Sequence, residues 1–194
     1  MVGIYKKALR VLGIAESYVR GKSRESLLAG VVMRGDFIID GFAFTKITVG
    51  GMDATEGVLR IYKLLNREDI SIIMLNGCII AWFNIIDVDR VYEETGRPVI
   101  VVTYEESEGI EDFIKRYFPE DAEERIRMYR KLGSRQFFRL KTGYTVYIRT
   151  QGITYRDACV ILNRFTVTGS VPEPLRVARL LARQINKNIL ARNY

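Results

Sequence analysis

Residues 27–49 read LLAGVVMRGDFIIDGFAFTKITV, and this stretch decides the fold. Two runs rich in β-branched and aromatic residues, 27–33 and 37–49, flank Arg34-Gly35-Asp36. That connection is short enough to turn the chain back as an antiparallel hairpin. In the second run Phe42, Phe44, Lys46 and Thr48 alternate with Ala43, Thr45, Ile47 and Val49, the period of a strand with two differently solvated faces. Upstream, residues 10–14 (RVLGI) add a short apolar strand. Downstream the period changes. From Ala54, the apolar positions Val58, Ile61, Leu64 and Leu65 recur at helical spacing, and Asn66 marks the end. Residues 71–75 (SIIML) form a buried strand, a helix over 87–95 stops at Gly96, and residues 98–103 (PVIVVT) form another buried strand. This helix–strand–helix–strand run calls for right-handed crossovers and a parallel section of sheet. Two helices within 110–132, a hairpin within 137–149 and helices over 155–166 and 174–191 complete the chain. The class is α/β: a mixed sheet, antiparallel in its first three strands and parallel thereafter, flanked by helices. No repeat or Pro/Ser-rich linker interrupts the 194 residues, so a single domain over 1–194 is expected.

Composition narrows the chemistry. An apolar content of 48% excludes a disordered chain. Zero histidines exclude Ser-His-Asp and Cys-His nucleophiles, a histidine base and any zinc site containing histidine. Any reaction must run on carboxylates, Lys, Tyr, Cys, or a metal held by oxygens. Two cysteines, Cys78 and Cys159, are too few for a disulfide framework and read as buried thiols in a reducing compartment, with one structural disulfide as the alternative. The N-terminus lacks a signal-peptide core, and the most apolar run, residues 71–86, is shorter than the ~20 residues of a membrane span. A cytoplasmic protein without membrane contact is the expectation. The net charge of +7 favours anionic partners such as nucleic acid.

Three polar segments fall at strand ends, where open α/β sheets place their sites. They are Ala15-Glu16-Ser17-Tyr18 after the first strand, Gly50-Gly51-Met52-Asp53 before the first helix, and Asn76-Gly77 after residues 71–75. Each also has a purely structural reading. Asp53-Ala54-Thr55-Glu56 spells a capping box, Asn76-Gly77 a turn, and Trp82-Phe83 a piece of core.

RVLGI, Gly51-Met52-Asp53-Ala54-Thr55, IMLNG with the downstream AWFN, GRPVIVV (96–102), and PEPLR (172–176) with ARLLAR resemble an archaeal family long catalogued as a domain of unknown function, some of whose members are called endonuclease dU. That family is similar to endonuclease V and has a ribonuclease H-like fold. The resemblance implies metal-dependent phosphodiester hydrolysis beside a deaminated base such as deoxyuridine, with carboxylates at strand ends holding Mg²⁺ or Mn²⁺. Carried onto this chain, the catalytic and metal-holding set is Asp53, Glu16 and Asn76. The family's first strand ends Gly-Ile-Asp-Asp, whereas here it ends Gly13-Ile14-Ala15-Glu16. Endonuclease V has Asp-Val-Ser-Tyr at that place, matched by Ala15-Glu16-Ser17-Tyr18 with the Asp replaced. The family's Asp in a Leu-Asp-Gly turn is Asn76 here, and Asp53 alone is retained. Three negative charges thus fall to two if Glu16 takes part and to one if it does not, so impaired or lost catalysis is expected.

The alternatives are a non-catalytic nucleic-acid-binding protein, DNA before RNA, or a protein-interaction module, with a homodimer as one form of it. For the first, Tyr18, Arg20, Lys22 and Arg24 suit stacking and phosphate contacts. For the second, residues 104–125 hold nine acids against three bases, and residues 126–149 hold seven bases and no acid. In the last helix Arg176, Arg179, Arg183 and Lys187 share one face, either as a solvated stripe, a partner for the acidic segment, or a track for phosphates.

Overall fold

The computed structural model describes residues 5–19, 21, 23–106 and 109–190. The hairpin forms as its sequence dictates. Strands β2 (Glu25–Arg34) and β3 (Ile39–Thr48) pair antiparallel, and the turn closes through the Phe37 N–H to Arg34 O at 2.8 Å. Strand β1 (Arg10–Ser17) pairs antiparallel with β2, and parallel with β4 (Ile72–Asn76), which runs parallel to β7 (Val99–Thr103). Between β4 and β7 lies a two-residue hairpin of β5 (Ile79–Ile80) and β6 (Asn84–Ile85). Strands β8 (Gln136–Arg139) and β9 (Thr145–Gln151) add antiparallel beyond β7, giving one seven-stranded sheet in the order β3-β2-β1-β4-β7-β9-β8.

Helices cover both faces because the strands alternate. Leu12, Ile14, Leu28, Ile73, Leu75 and Val101 point one way, onto Val58 and Ile61 of α1 (Ala54–Leu65) and Val88 and Val91 of α2 (Val88–Thr95). Val11, Met33, Ile72, Met74, Ile100 and Val102 point the other way, onto Ile161 and Phe165 of α5 (Tyr155–Phe165) and Leu175 of α6 (Glu173–Ile185). A slip of one residue in any central strand would exchange these two sets, so burial on both sides fixes the register. Helices α3 (Glu111–Tyr117) and α4 (Ala122–Lys131) stand between β7 and β8 in the chain, and Arg130 of α4 pairs with Glu111 of α3 at 2.8 Å. Cys78 and Cys159 are free thiols belonging to different apolar clusters. Among the described residues, no helix is long and apolar enough to cross a membrane.

Two sequence expectations change. Ala15, Glu16 and Ser17, read as a loop after the first strand, continue β1, because β2 supplies ladder partners at Ala29, Leu28 and Leu27. Trp82, read as core, is 37% exposed. It sits in the β5–β6 turn, where Ala81, Trp82 and Phe83 all adopt positive φ (41°, 58° and 64°), a strained conformation for residues with side chains.

Helix α6 meets β1 unusually closely. Pro174, in the first turn where a missing N–H costs nothing, leaves no room for a side chain at Gly13: a methyl there would lie 2.5 Å from the Pro174 carbonyl carbon. Gly13→Ala should therefore destabilise the fold by about 1–3 kcal/mol, read as a lower urea midpoint at unchanged slope.

Candidate nucleic-acid interface

The carboxyl ends of β1, β4 and β7 open on one edge of the sheet, and the three polar segments gather around it without forming one cluster. Asp53 follows β3 and precedes α1. Its carboxylate accepts from the Thr48 N–H at 3.0 and 3.1 Å, from the Thr48 hydroxyl at 2.9 Å and from Asn84 Nδ2 at 2.7 Å. The capping box does not form. Asp53 has φ −109° and ψ 12° rather than the extended backbone of a capping residue, and it makes no side-chain bond to the helix. The fully buried Asn84 caps instead, its Oδ1 accepting from the Ala54 N–H at 2.9 Å, while Nδ2 also donates to Thr48 O at 2.9 Å. Glu56 turns outward to Arg90.

Arg125 holds this region together, and sequence reasoning passed over it as one base in an acidic segment. Only 3% exposed, it donates to the carbonyls of Gly50 (2.7 Å), Gly51 (3.0 Å) and Phe83 (3.0 Å), pairs with Asp121 at 2.8 Å, and lies 4.0 Å from the centre of the Phe118 ring. One guanidinium thus pins α4 to the two-glycine loop and to the strained β5–β6 turn. No local pattern marks such a residue except the Asp four positions earlier.

Glu16 and Asn76 leave the sheet on opposite faces. Glu16 shares the face of Leu12 and Ile14, and its carboxyl accepts from the Ser26 hydroxyl at 2.7 Å. Burial pushes this carboxyl above the ordinary glutamate value, against the lowering effects of the Ser26 hydroxyl, the Ala81 N–H and the Arg179 charge. Asn76 shares the face of Ile72 and Met74, and its Oδ1 accepts from the Tyr104 hydroxyl at 2.9 Å. Burial raises the Tyr104 phenol, again opposed by Arg179. Since Ile14 pairs with Leu75, the next residue of β1 on the Asn76 side is Ala15, which packs on Ala178 of α6. Among the described residues, no three Asp, Glu, Cys or His side chains gather as metal donors.

On the Glu16 side lies a cleft of about 530 Å³. Glu16 and residues 79–81 line it together with Tyr18, Trp82, Phe113 and Tyr117. Trp82 packs against Tyr117 and Phe118 with ring centres 5.6 and 5.0 Å apart. Arg24 is exposed, while Arg20 and Lys22 lie outside the described residues. A smaller cavity of about 230 Å³, touching Asp87, Lys131 and Arg149, lies against β9 residues Thr150 and Gln151, which pair with the amino end of β7, away from this edge.

Two variants probe these contacts. Asn84→Ala leaves the Ala54 N–H and Thr48 carbonyl unpaired, and should cost about 1–3 kcal/mol in chemical denaturation. Glu16 has a folded pKa above its unfolded value, so the stability it contributes is present below the unfolded pKa and lost as pH rises through the folded one. Glu16→Gln should therefore gain melting temperature relative to the parent as pH rises above the ordinary glutamate value, and a flat difference would contradict the burial of this carboxyl.

Comparisons with known proteins agree with this fold. A family model described as endonuclease dU matches residues 7–186. A UPF0215 protein of Pyrobaculum calidifontis is 39% identical over 183 residues, covering 94% of this chain and 100% of the relative. The crystal structure of a protein of unknown function from Archaeoglobus fulgidus superposes with TM-score 0.78 at 32% identity, covering 91% of this chain and 98% of that chain. Endonuclease V of Ciona intestinalis, solved in complex with a 24mer DNA containing an inosine followed by a ribo-adenosine, superposes with TM-score 0.64 at 13% identity, covering 94% of this chain and 88% of that one. That last likeness is one of fold, and the fold is ribonuclease H-like. Matched along nearly all its length by the family model and by a relative at 39% identity, the chain belongs to the endonuclease dU family.

Proposed function

We propose that this chain binds nucleic acid, DNA before RNA, at the edge shared by β1, β4 and β7, and that metal-assisted cleavage beside deaminated bases is impaired or lost in it. The observation that carries this reading is the division of the four residues at the inherited positions. Ala15 and Asn76, side by side on the α6 face, bring no charge. Glu16 projects from the other face, and its burial favours the protonated form. Asp53 already accepts three donors from its own neighbourhood.

Mg²⁺ does not fit this donor set. The ion surrenders its waters reluctantly and relies on carboxylates in octahedral positions, which a single hydrogen-bonded aspartate cannot supply. What remains suits binding. The cleft presents aromatic rings at which an unstacked base finds a planar partner, a contact worth about 1–3 kcal/mol per base. A fold relative crystallised on inosine-containing DNA supports the choice of partner. The protein-interaction alternative is weakened because Arg125, Arg130 and Lys131 pair within the chain, with Asp121, Glu111 and Asp87.

The test uses DNA containing deoxyuridine or deoxyinosine with Mg²⁺ or Mn²⁺. The expected result is a gel shift without nicking, and nicking gained by Ala15→Asp combined with Asn76→Asp. Nicking by the parent protein that Asp53→Ala abolishes would overturn the loss of catalysis, and absence of any shift would overturn the binding.

A further inference from the structure

On the other side of the same edge, a groove of about 370 Å³ runs between α6 and the turn at residues 168–171. Tyr144, Thr168, Ser170, Arg176, Arg179 and Arg183 line it. We propose that this groove holds nucleic-acid phosphates directly through Arg179 and Arg183, without a bridging metal ion. The proposal rests on the nucleic-acid reading above and adds the site of backbone contact.

The three arginines are not equivalent. Arg176 is committed to Glu173 in the first turn of α6. Arg179 and Arg183 are exposed and enter no ion pair among the described residues. They stand four residues apart, about 6 Å along the helix axis, on one face. Like charges at this spacing repel by a few tenths of a kcal/mol, and no ion pair described for either arginine offsets that cost. A phosphate would offset it, because each guanidinium offers a planar fork of donors that matches two phosphate oxygens. The turn adds the hydroxyls of Thr168 and Ser170 and is pinned by the Thr142 hydroxyl, which donates to Gly169 O at 2.6 Å.

Position ties the groove to the rest of the site. Ala178, one residue before Arg179, packs on Ala15. Arg179 acts electrostatically on both Glu16 and Tyr104, so its charge reaches the edge from either face of the sheet. Tyr144 immediately precedes β9, whose Tyr147 pairs with Thr103 at the carboxyl end of β7, so the groove opens on the edge that the aromatic cleft also serves. A strand crossing this edge would place a base against Trp82 and its phosphates over Arg179 and Arg183. The local charge makes the metal unnecessary. A ring of carboxylates repels phosphate unless a cation intervenes, whereas Ala15 and Asn76 are neutral and Arg179 adds positive charge to the edge.

The experiment is fluorescence anisotropy of a labelled single-stranded DNA oligonucleotide with the full chain, titrated with salt, in Mg²⁺ and in EDTA. Binding by the parent protein should persist in EDTA, at an affinity no lower than in Mg²⁺. Arg179→Gln with Arg183→Gln should weaken it about tenfold or more at low salt, and reduce the slope of log affinity against log salt by about 1.4, at about 0.7 per lost phosphate contact. Arg179→Lys with Arg183→Lys should keep the slope but lose affinity, because the charge remains and the fork does not. Lys63→Gln, on the exposed side of α1, should change neither quantity. An unaltered melting temperature confirms that the double Gln variant folds. Parent-like affinity and slope in that variant would overturn the groove while leaving nucleic-acid binding intact. Loss of parent binding in EDTA would overturn the metal-free contact. No binding by the parent would remove both this proposal and the reading beneath it.

Discussion

The pleat of β1 governs the arrangement of the site. All eight of its residues pair with Leu27–Arg34 of β2, and Val11–Ile14 also pair with β4. Successive side chains in such a strand cannot choose their face. Ala15 must meet α6, and Glu16 must meet the β5–β6 turn. A carboxylate moved by one position along β1 therefore does not stand in for its neighbour; it enters a different environment. Facing α6 it would stand beside Asn76. Facing the other way it is buried among backbone and aromatic rings and bonded to a serine hydroxyl.

The regions flanking the edge are held by polar groups that do more than one task. Asn84 caps α1 and restrains Asp53 and Thr48 in the same move. Arg125 gathers three carbonyls from two loops that are distant in sequence. Such bonds explain how three consecutive residues persist in the left-handed region: Gly50 donates to Ala81 O at 2.7 Å, and Arg125 takes Phe83 O. Backbone strain of this kind survives only where surrounding contacts over-determine it.

Much of the framework was legible because local and tertiary signals agree there. The end of α1 at Asn66 and the end of α2 at Gly96 sit where the sequence puts them, both residues adopting the left-handed conformation that stops a helix, while the hairpin turn ends two residues later than expected, spanning 35–38. The site was less legible for identifiable reasons. Glu16 and Ser17 look like loop residues, and only pairing with β2, ten or more positions away, makes them strand. The capping pattern at Asp53 is genuine as a pattern but lost to Asn84, thirty residues from the helix it caps. Arg125 bonds across more than seventy residues, a distance at which sequence spacing carries no information.

Helix α6 comes after every strand in chain order, yet it supplies Leu175, Ala178 and Ala182 to the face of β1, β2 and β4. During synthesis, then, α5 reaches the second face first, and apolar side chains outside its cluster, such as Val31 and Ala29, wait for a cover translated about 150 residues later. Uncovered β-surface is where nascent chains stick to one another. The helix that carries the arginines is also the one that ends this exposure, so a ribosome that stalls before it leaves an adhesive sheet that lacks its strip of positive charge.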